Sequence, residues 1–283
     1  MRRFAISLLL FFLTSLPLLA QNRPLRTTDA ETVSPGTLRV QVGFDFLQDV
    51  DFPLSGLTGD LTSVGVISLR MGAGKMVEVQ MEGAVRHFLD VQRQVGSFVA
   101  PALTGPNSTH DVGDFSIATK FRLFGETKRH PALAFRFGYQ MPNSNQARGI
   151  GTNTSNLFAE MILQKHFGKL NLMGNVGVAI LQAPAANFTQ NDVITYGAAF
   201  SFAAHQRLNL VGEVAGFQST RRITSSLLGT ESRGQGRFGF QLTAGGFQWD
   251  IAGIAGLTSH SPRHGFTFGV RRDIHLFDYN AVK

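Results

Sequence analysis

The sequence predicts an all-β protein, a transmembrane antiparallel up-and-down β-barrel of about twelve strands. Three observations predict it. Large apolar residues alternate with charged or small ones along most of the chain, the period of a pleated strand. The connections between the alternating stretches are by turns tight and long. The only long apolar run lies at the N-terminus, so the rest of the chain has no helical span to offer. Composition agrees: of 283 residues 43% are hydrophobic and 16% charged, with 25 Phe against one Trp and three Tyr.

Taken in order, residues 1–20 read MRRFAISLLLFFLTSLPLLA. Arg2 and Arg3 form a basic start, residues 4–16 an apolar stretch, Pro17 a break, and Ala20 a small residue before Gln21. This is the pattern of a secretory signal peptide. Residues 21–36 are polar, with two prolines, and are expected to be a periplasmic lead-in segment, extended or tucked into a pore. The barrel is expected over 37–283.

Its first strand, 37–47, sets Leu38, Val40, Val42, Phe44 and Phe46 against Arg39, Gln41, Gly43 and Asp45. Residues 60–71 alternate less well: Leu61, Ile67, Leu69 and Met71 share a face, and Val64 and Val66 fall on the other. Residues 75–88 set Val77, Val79, Met81 and Val85 against Glu78, Gln80, Glu82 and Arg86.

The clearest hairpin is 111–141. Phe115, Ile117, Phe121 and Leu123 oppose Asp114, Lys120 and Arg122. Past the polar turn GETKRHP, Leu133, Phe135, Phe137 and Tyr139 oppose Arg136 and Gln140. Greasy outside and polar inside is the barrel pattern.

Further strands are expected at 156–166, 169–181, 193–204, 207–217, 236–246, 247–258 and 265–277. Arg272 is the one clear charge on an apolar face. It is tolerable near an interface, where it costs about 0–1 kcal/mol rather than about 2–4 at the midplane. Tight turns follow the even strands, and the longer loops are 48–59, 92–110, 142–153, 182–192 and 218–235, with a short one at 259–264. That asymmetry puts both termini in the periplasm of a Gram-negative cell.

Several stretches resemble a known family. RPLRTTDAETVSPGTLRVQVGFDF (23–46) resembles a lead-in followed by a first strand. DVGDFSIATKFRLF (111–124) is similar to a G-D-x-x-x-x-x-K-[YF]-R strand through Gly113, Asp114, Lys120, Phe121 and Arg122. PALAFRFGYQMPN (131–143) and HFGKLNLMGNVG (166–177) resemble the hairpins that follow. The family is that of the MetA-pathway-of-phenol-degradation outer-membrane proteins. The resemblance implies a barrel in the bacterial outer membrane that passes small organic molecules. The chain departs from a common barrel ending: it finishes DYNAVK after Phe277, not on a terminal aromatic residue.

Other chemistries find little support. The net charge is +7, or +5 without Arg2 and Arg3, but the basic residues are scattered and no nucleic-acid partner is expected. Without Cys there is no thiolate site or disulfide, and the eight His form no H-E-x-x-H, so no metal or other cofactor is expected. MGAGKM (71–76) lacks the spacing and the Ser/Thr of a phosphate loop. A lipid-modifying enzyme of phospholipase or deacylase type, or a structural, adhesin-like barrel, are the alternatives to a passive channel. Expected partners are outer-membrane lipid, the barrel-assembly machinery during biogenesis, and a small solute.

The candidate functional residues are charges on the polar face: Arg39, Asp45, Glu78, Glu82, Asp114, Lys120, Arg122, Arg136, Arg271 and Asp273. Folding back through the turn at 125–131 sets Lys120 across from Arg136, like charges that need compensation. Glu78 and Glu82 are expected at heights near Arg122 and Lys120. Closure of the barrel brings Arg39 and Asp45 beside Arg271 and Asp273. Such charges either fix register as a ladder or form a constriction felt by a solute.

Overall fold

The computed structural model describes residues 23–222 and 224–278. The signal peptide expected at 1–20 lies outside them. The strands are β1 (Thr37–Phe52), β2 (Leu57–Gly72), β3 (Val77–Gln94), β4 (Ser108–Asp111), β5 (Ser116–Phe124), β6 (Ala132–Gln140), β7 (Asn156–Phe167), β8 (Leu170–Leu181), β9 (Asn191–His205), β10 (Leu208–Ser219), β11 (Arg233–Ala244), β12 (Phe247–Gly256) and β13 (His264–His275). Each pairs antiparallel with its neighbours, and β1 pairs with β13 to close the cylinder. β4 and β5 both lie along β3, at opposite ends of it, and together make one stave. The result is a closed twelve-stranded antiparallel barrel.

The outer face is apolar and the inner face polar, as the alternation requires. Phe238, Val176 and Val178 stand exposed on the outside, while Lys120, Gln41, Gln80 and Gln241 are fully buried inside. Arg272 lies outside with its guanidinium 5.0 Å from the ring centroid of Phe247, the first residue of β12 after the Gly245-Gly246 turn. It is therefore next to the short-turn rim. Both glycines of that turn have positive φ, as a two-residue hairpin turn of the strand-matching hand needs.

Three expectations are corrected. First, the loop expected at 48–59 is mostly strand. β1, β2 and β3 run 16, 16 and 18 residues, against the roughly 9–11 a tilted strand needs to cross a membrane. The excess rises beyond the barrel at the long-loop end.

Second, β2 and β3 change face partway. Val64 pairs with Phe44 and Val66 with Gly43, so Gly65, at φ 63°, is skipped as a bulge. Val64 thereby joins the outer face, and Leu61 turns inward into a cluster with Leu47, Leu57, Leu89 and Ile254. The switch is matched on β3: Ala84 is buried, Val85 exposed, and His87 reaches Ser63 inside. Arg86 thus no longer shares the face of Glu82.

Third, 111–124 is not one continuous strand. Asp111 accepts from the Asn145 N–H (2.6 Å), and Asp114 accepts from the N–H groups of Asn143 (3.0 Å) and Ser144 (2.7 Å). These side chains hold the base of the next loop, and the ladder lapses over 112–115 where they do so. Gly113 keeps a bond to the wall, its N–H donating to the Ala84 carbonyl at 3.0 Å, and the Phe115 carbonyl accepts from the Met141 N–H at 2.7 Å.

At the long-loop end the loops are tied to one another. The Ser55 hydroxyl donates to the Gly149 carbonyl (2.6 Å), Gln146 to that of Pro184 (2.6 Å), and Arg233 to that of Asp51 (3.0 Å). The cluster around Leu47 and Leu89 packs beneath them with Phe52, Leu103 and Ile150.

Candidate functional site in the barrel lumen

The lead-in does not lie outside the barrel. Residues 23–36 run inside the lumen, from mid-barrel beside Asp45 and Thr267 down to the short-turn rim, where Pro35 bridges Gly72 and Gly36 donates to the Gly72 carbonyl. Over 23–33, among the described residues, the segment's hydrogen bonds to the wall each involve a side chain. Its backbone polar groups must still be satisfied, because a buried peptide without partners is costly. The wall supplies side chains for this.

Glu213 on β10 accepts from the N–H groups of Arg26 (2.8 and 2.9 Å) and Thr27 (2.8 Å). The Asn175 amide brackets Thr28, accepting from its N–H (2.9 Å) and donating to its carbonyl (2.8 Å). Gln164 accepts from Ala30 (2.9 Å) and Glu78 from Val33 (2.7 Å). Gln241 donates to the Arg23 carbonyl (2.7 Å) and Arg237 to that of Pro24 (2.8 Å). Two apolar patches in the polar wall receive the segment's apolar side chains. Leu25 packs on Met173, Ala199 and Val211, and Ala30 on Ala132, Ala134 and Ile162.

The predicted charges fall around this segment. Lys120 is completely buried. Its Nζ lies 3.1 Å from Asp29 Oδ1 and 3.3 Å from Glu78 Oε1, and it also donates to the carbonyls of Asp29 (3.2 Å) and Glu31. Arg122 pairs with Glu31 at 2.7 Å, and Arg136 donates to the Thr28 hydroxyl at 2.8 Å. Lys120 and Arg136 are direct cross-strand neighbours, and the compensation their like charges need comes from Asp29, Glu78 and Glu160.

Glu78 stands opposite Lys120 and Glu82 opposite Ser116, so the expected heights, near Arg122 and Lys120, are off by two residues for Glu78 and four for Glu82. Glu82 pairs with Arg70 (2.8 Å) instead of Lys120. Arg39 and Asp273 face each other across the closing strands in a two-pronged pair, at 2.8 and 2.7 Å. Asp45 pairs with Arg23 (2.9 Å), and Arg271 lies between Gln41 and Gln248. Asp114 is apart from the rest, at the base of the 141–155 loop.

Sequence reasoning missed Glu213, Gln164, Asn175, Arg237 and Gln241 as the segment's anchors. Their signal was present but faint: a polar residue of hydrogen-bonding reach at each inward position, facing a polar lead-in with few apolar residues of its own.

Above the segment the lumen holds a cavity of ≈ 390 Å³. Arg26, Arg70, Arg136 and Arg237 line it with Leu25, Val66, Ala215 and Phe217. Among the described residues no group of three or more His, Cys, Asp or Glu could hold a metal ion.

No family model matches the chain, and no curated protein matches it. Among solved structures it is similar to the COG4313 outer membrane channel from Pseudomonas putida F1, at TM-score 0.61 and 14% identity, over 87% of this chain and 98% of that one. The NanC porin (TM-score 0.47, 7% identity, 85% and 100% covered) and LpxR from Salmonella typhimurium (TM-score 0.44, 8% identity, 83% and 99% covered) are more distant. At such identities the likeness is one of fold, and the fold this chain shares is that of an outer-membrane β-barrel.

Proposed function

We propose that this chain is an outer-membrane channel for the passive passage of small molecules, held closed by its own N-terminal segment. The observation that carries the reading is the way the lumen is filled. Barrels of about eight strands are packed solid by their wall side chains, and those of sixteen or more hold an aqueous channel. Here the wall leaves room, and a separate stretch of chain occupies it, its hydrogen bonds to the wall over 23–33 each involving a side chain among the described residues. A segment held so can leave without breaking the barrel ladder. The likeness to the P. putida channel agrees with this reading, as does the resemblance of 23–46 and 111–124 to an outer-membrane transport family.

A lipid hydrolase is the second reading, and one contact favours it: the Ser63 hydroxyl lies 2.7 Å from His87 Nδ1. A nucleophile of this kind also needs a group to orient the imidazole. Among the described residues none hydrogen-bonds the other ring nitrogen, so the pair lacks a working triad's third member.

The test is single-channel recording in planar bilayers, comparing the full chain with a variant lacking 23–34. The variant should conduct steadily and the full chain rarely or in brief openings. Silence from both, with both folded, would overturn the channel.

A further inference from the structure

We infer that the mid-lumen cavity is a binding station for a small organic anion, a carboxylate carried on a compact apolar body. The inference deepens the channel reading by naming the class of solute, and it rests on that reading for its role in passage.

The cavity lies where the segment begins, between the wall of β2, β3 and β6 on one side and that of β9, β10 and β11 on the other. Five arginines line it, Arg23, Arg26, Arg70, Arg136 and Arg237, against three carboxylates, Asp45, Glu82 and Glu160. The lining surplus is positive; Asp250, Glu78 and Glu213 stand within 4 Å of Arg23, Arg70 and Arg237 and offset it there, and what is left uncompensated is felt more strongly than in bulk water.

Arg26 is where the surplus is reachable. Its backbone N–H is fixed by Glu213, yet its side chain is exposed, and among the described residues it makes no ion pair and no side-chain hydrogen bond. The carboxylate that would neutralise it is already engaged. Glu213 accepts from two backbone N–H groups of the segment and lies 3.6 Å from Arg237. Every other lining arginine has a carboxylate within 4 Å: Arg23 has Asp45, Arg70 has Glu82, Arg136 has Glu160 and Arg237 has Glu213. Arg26 thus presents a planar fork of donors without a counter-ion, a geometry matched to a carboxylate.

The other half of the chemistry is apolar. Leu25, Val66, Ala215 and Phe217 line the same space, beside the polar Thr27, Gln41, Ser68, Asn175 and Thr195, and offer an organic body an apolar surface that a hydrated inorganic ion would not use. A cavity of ≈ 390 Å³ is at the small end of ligand sites, which selects a compact body over a long chain. A cation is disfavoured by the arginine surplus, and a neutral apolar molecule would leave Arg26 desolvated and unpaired.

The experiment uses the full chain in zwitterionic detergent. Binding of 4-fluorobenzoate is followed by fluorine NMR, with 4-fluorobenzylamine and 4-fluorobenzyl alcohol as the cationic and neutral probes of the same body. The anion should bind saturably, and the amine and alcohol at least about tenfold more weakly, the scale of one charge-assisted hydrogen-bonded contact. Arg26→Gln should weaken the anion about tenfold while leaving heat-modifiable gel migration unchanged, and Arg26→Lys should restore part of the loss.

Equal binding of anion and amine would overturn the station, and so would anion binding untouched by Arg26→Gln in a folded barrel. The bilayer recordings separate the two proposals. The expected binding pattern in a barrel that never conducts keeps the anion site and removes the channel. Current without anion binding keeps the channel and removes the site.

Discussion

Lys120→Ala should unseat the N-terminal segment. The Lys120 side chain is 0% exposed, and the carboxylates it faces, those of Asp29 and Glu78, are each 1% exposed. Removing the lysine leaves two buried carboxylates, with Arg70 3.7 Å from Glu78. Breaking a buried pair of this kind costs about 3–5 kcal/mol, because the remaining charge cannot recover its hydration. The barrel wall has no way to relieve that cost, but the segment does: on leaving, Asp29 returns to water and Glu78 becomes accessible. The seated-to-unseated ratio should therefore fall by about 10²–10⁴-fold.

The chain contains no Cys, so Thr27→Cys supplies a single thiol. Thr27 is 2% exposed, and its hydroxyl makes no hydrogen bond, so the swap removes little. The rate of maleimide labelling at that thiol should rise with the unseated fraction, about a hundredfold or more in Lys120→Ala. The control is Lys165→Ala, which breaks a pair with Glu126 at a turn on the short-turn rim and should leave the rate unchanged. A folded Lys120→Ala barrel that labels at the parent rate would refute the account of Lys120 as an anchor of the segment.

Three further outcomes are expected. Phe238→Arg, at the middle of β11 and 63% exposed on the outer face, should lower the barrel's stability in lipid by about 2–4 kcal/mol in urea titration; an unchanged midpoint would mean the face is misassigned. Gly65→Ala should cost about 1–2 kcal/mol in the same titration, because the bulge holds φ at 63° and a side chain there strains the backbone; a neutral effect would show that the register switch does not depend on it. A peptide tag inserted after Arg222 should be reachable by antibody on intact cells and one inserted after Lys128 should not; labelling at the second site would reverse the orientation of the barrel.

The sequence by itself determined the barrel, most of its strands and the two faces of each. A pleated strand in a lipid wall must alternate, and alternation survives in one dimension. It also determined pairs that follow from connectivity. Lys120 stands across from Arg136 because a single seven-residue turn joins their strands, and Arg39 faces Asp273 because a closed barrel must join its first strand to its last.

What it left open is whatever a distant partner decides. Val64 and Val66 looked like flaws in β2 because one skipped residue, Gly65, reverses the face of all that precedes it, and the matching switch lies on another strand at Val85. The break at 112–115 follows from loop amides about 30 residues away that claim the Asp111 and Asp114 carboxylates. The largest gap was the meaning of the lumen charges, readable as a ladder or a constriction. Only the tertiary structure set residues 23–36 among them. An extended segment with no ladder of its own carries no periodicity to announce its place, and it is positioned by single side chains drawn from strands throughout the barrel.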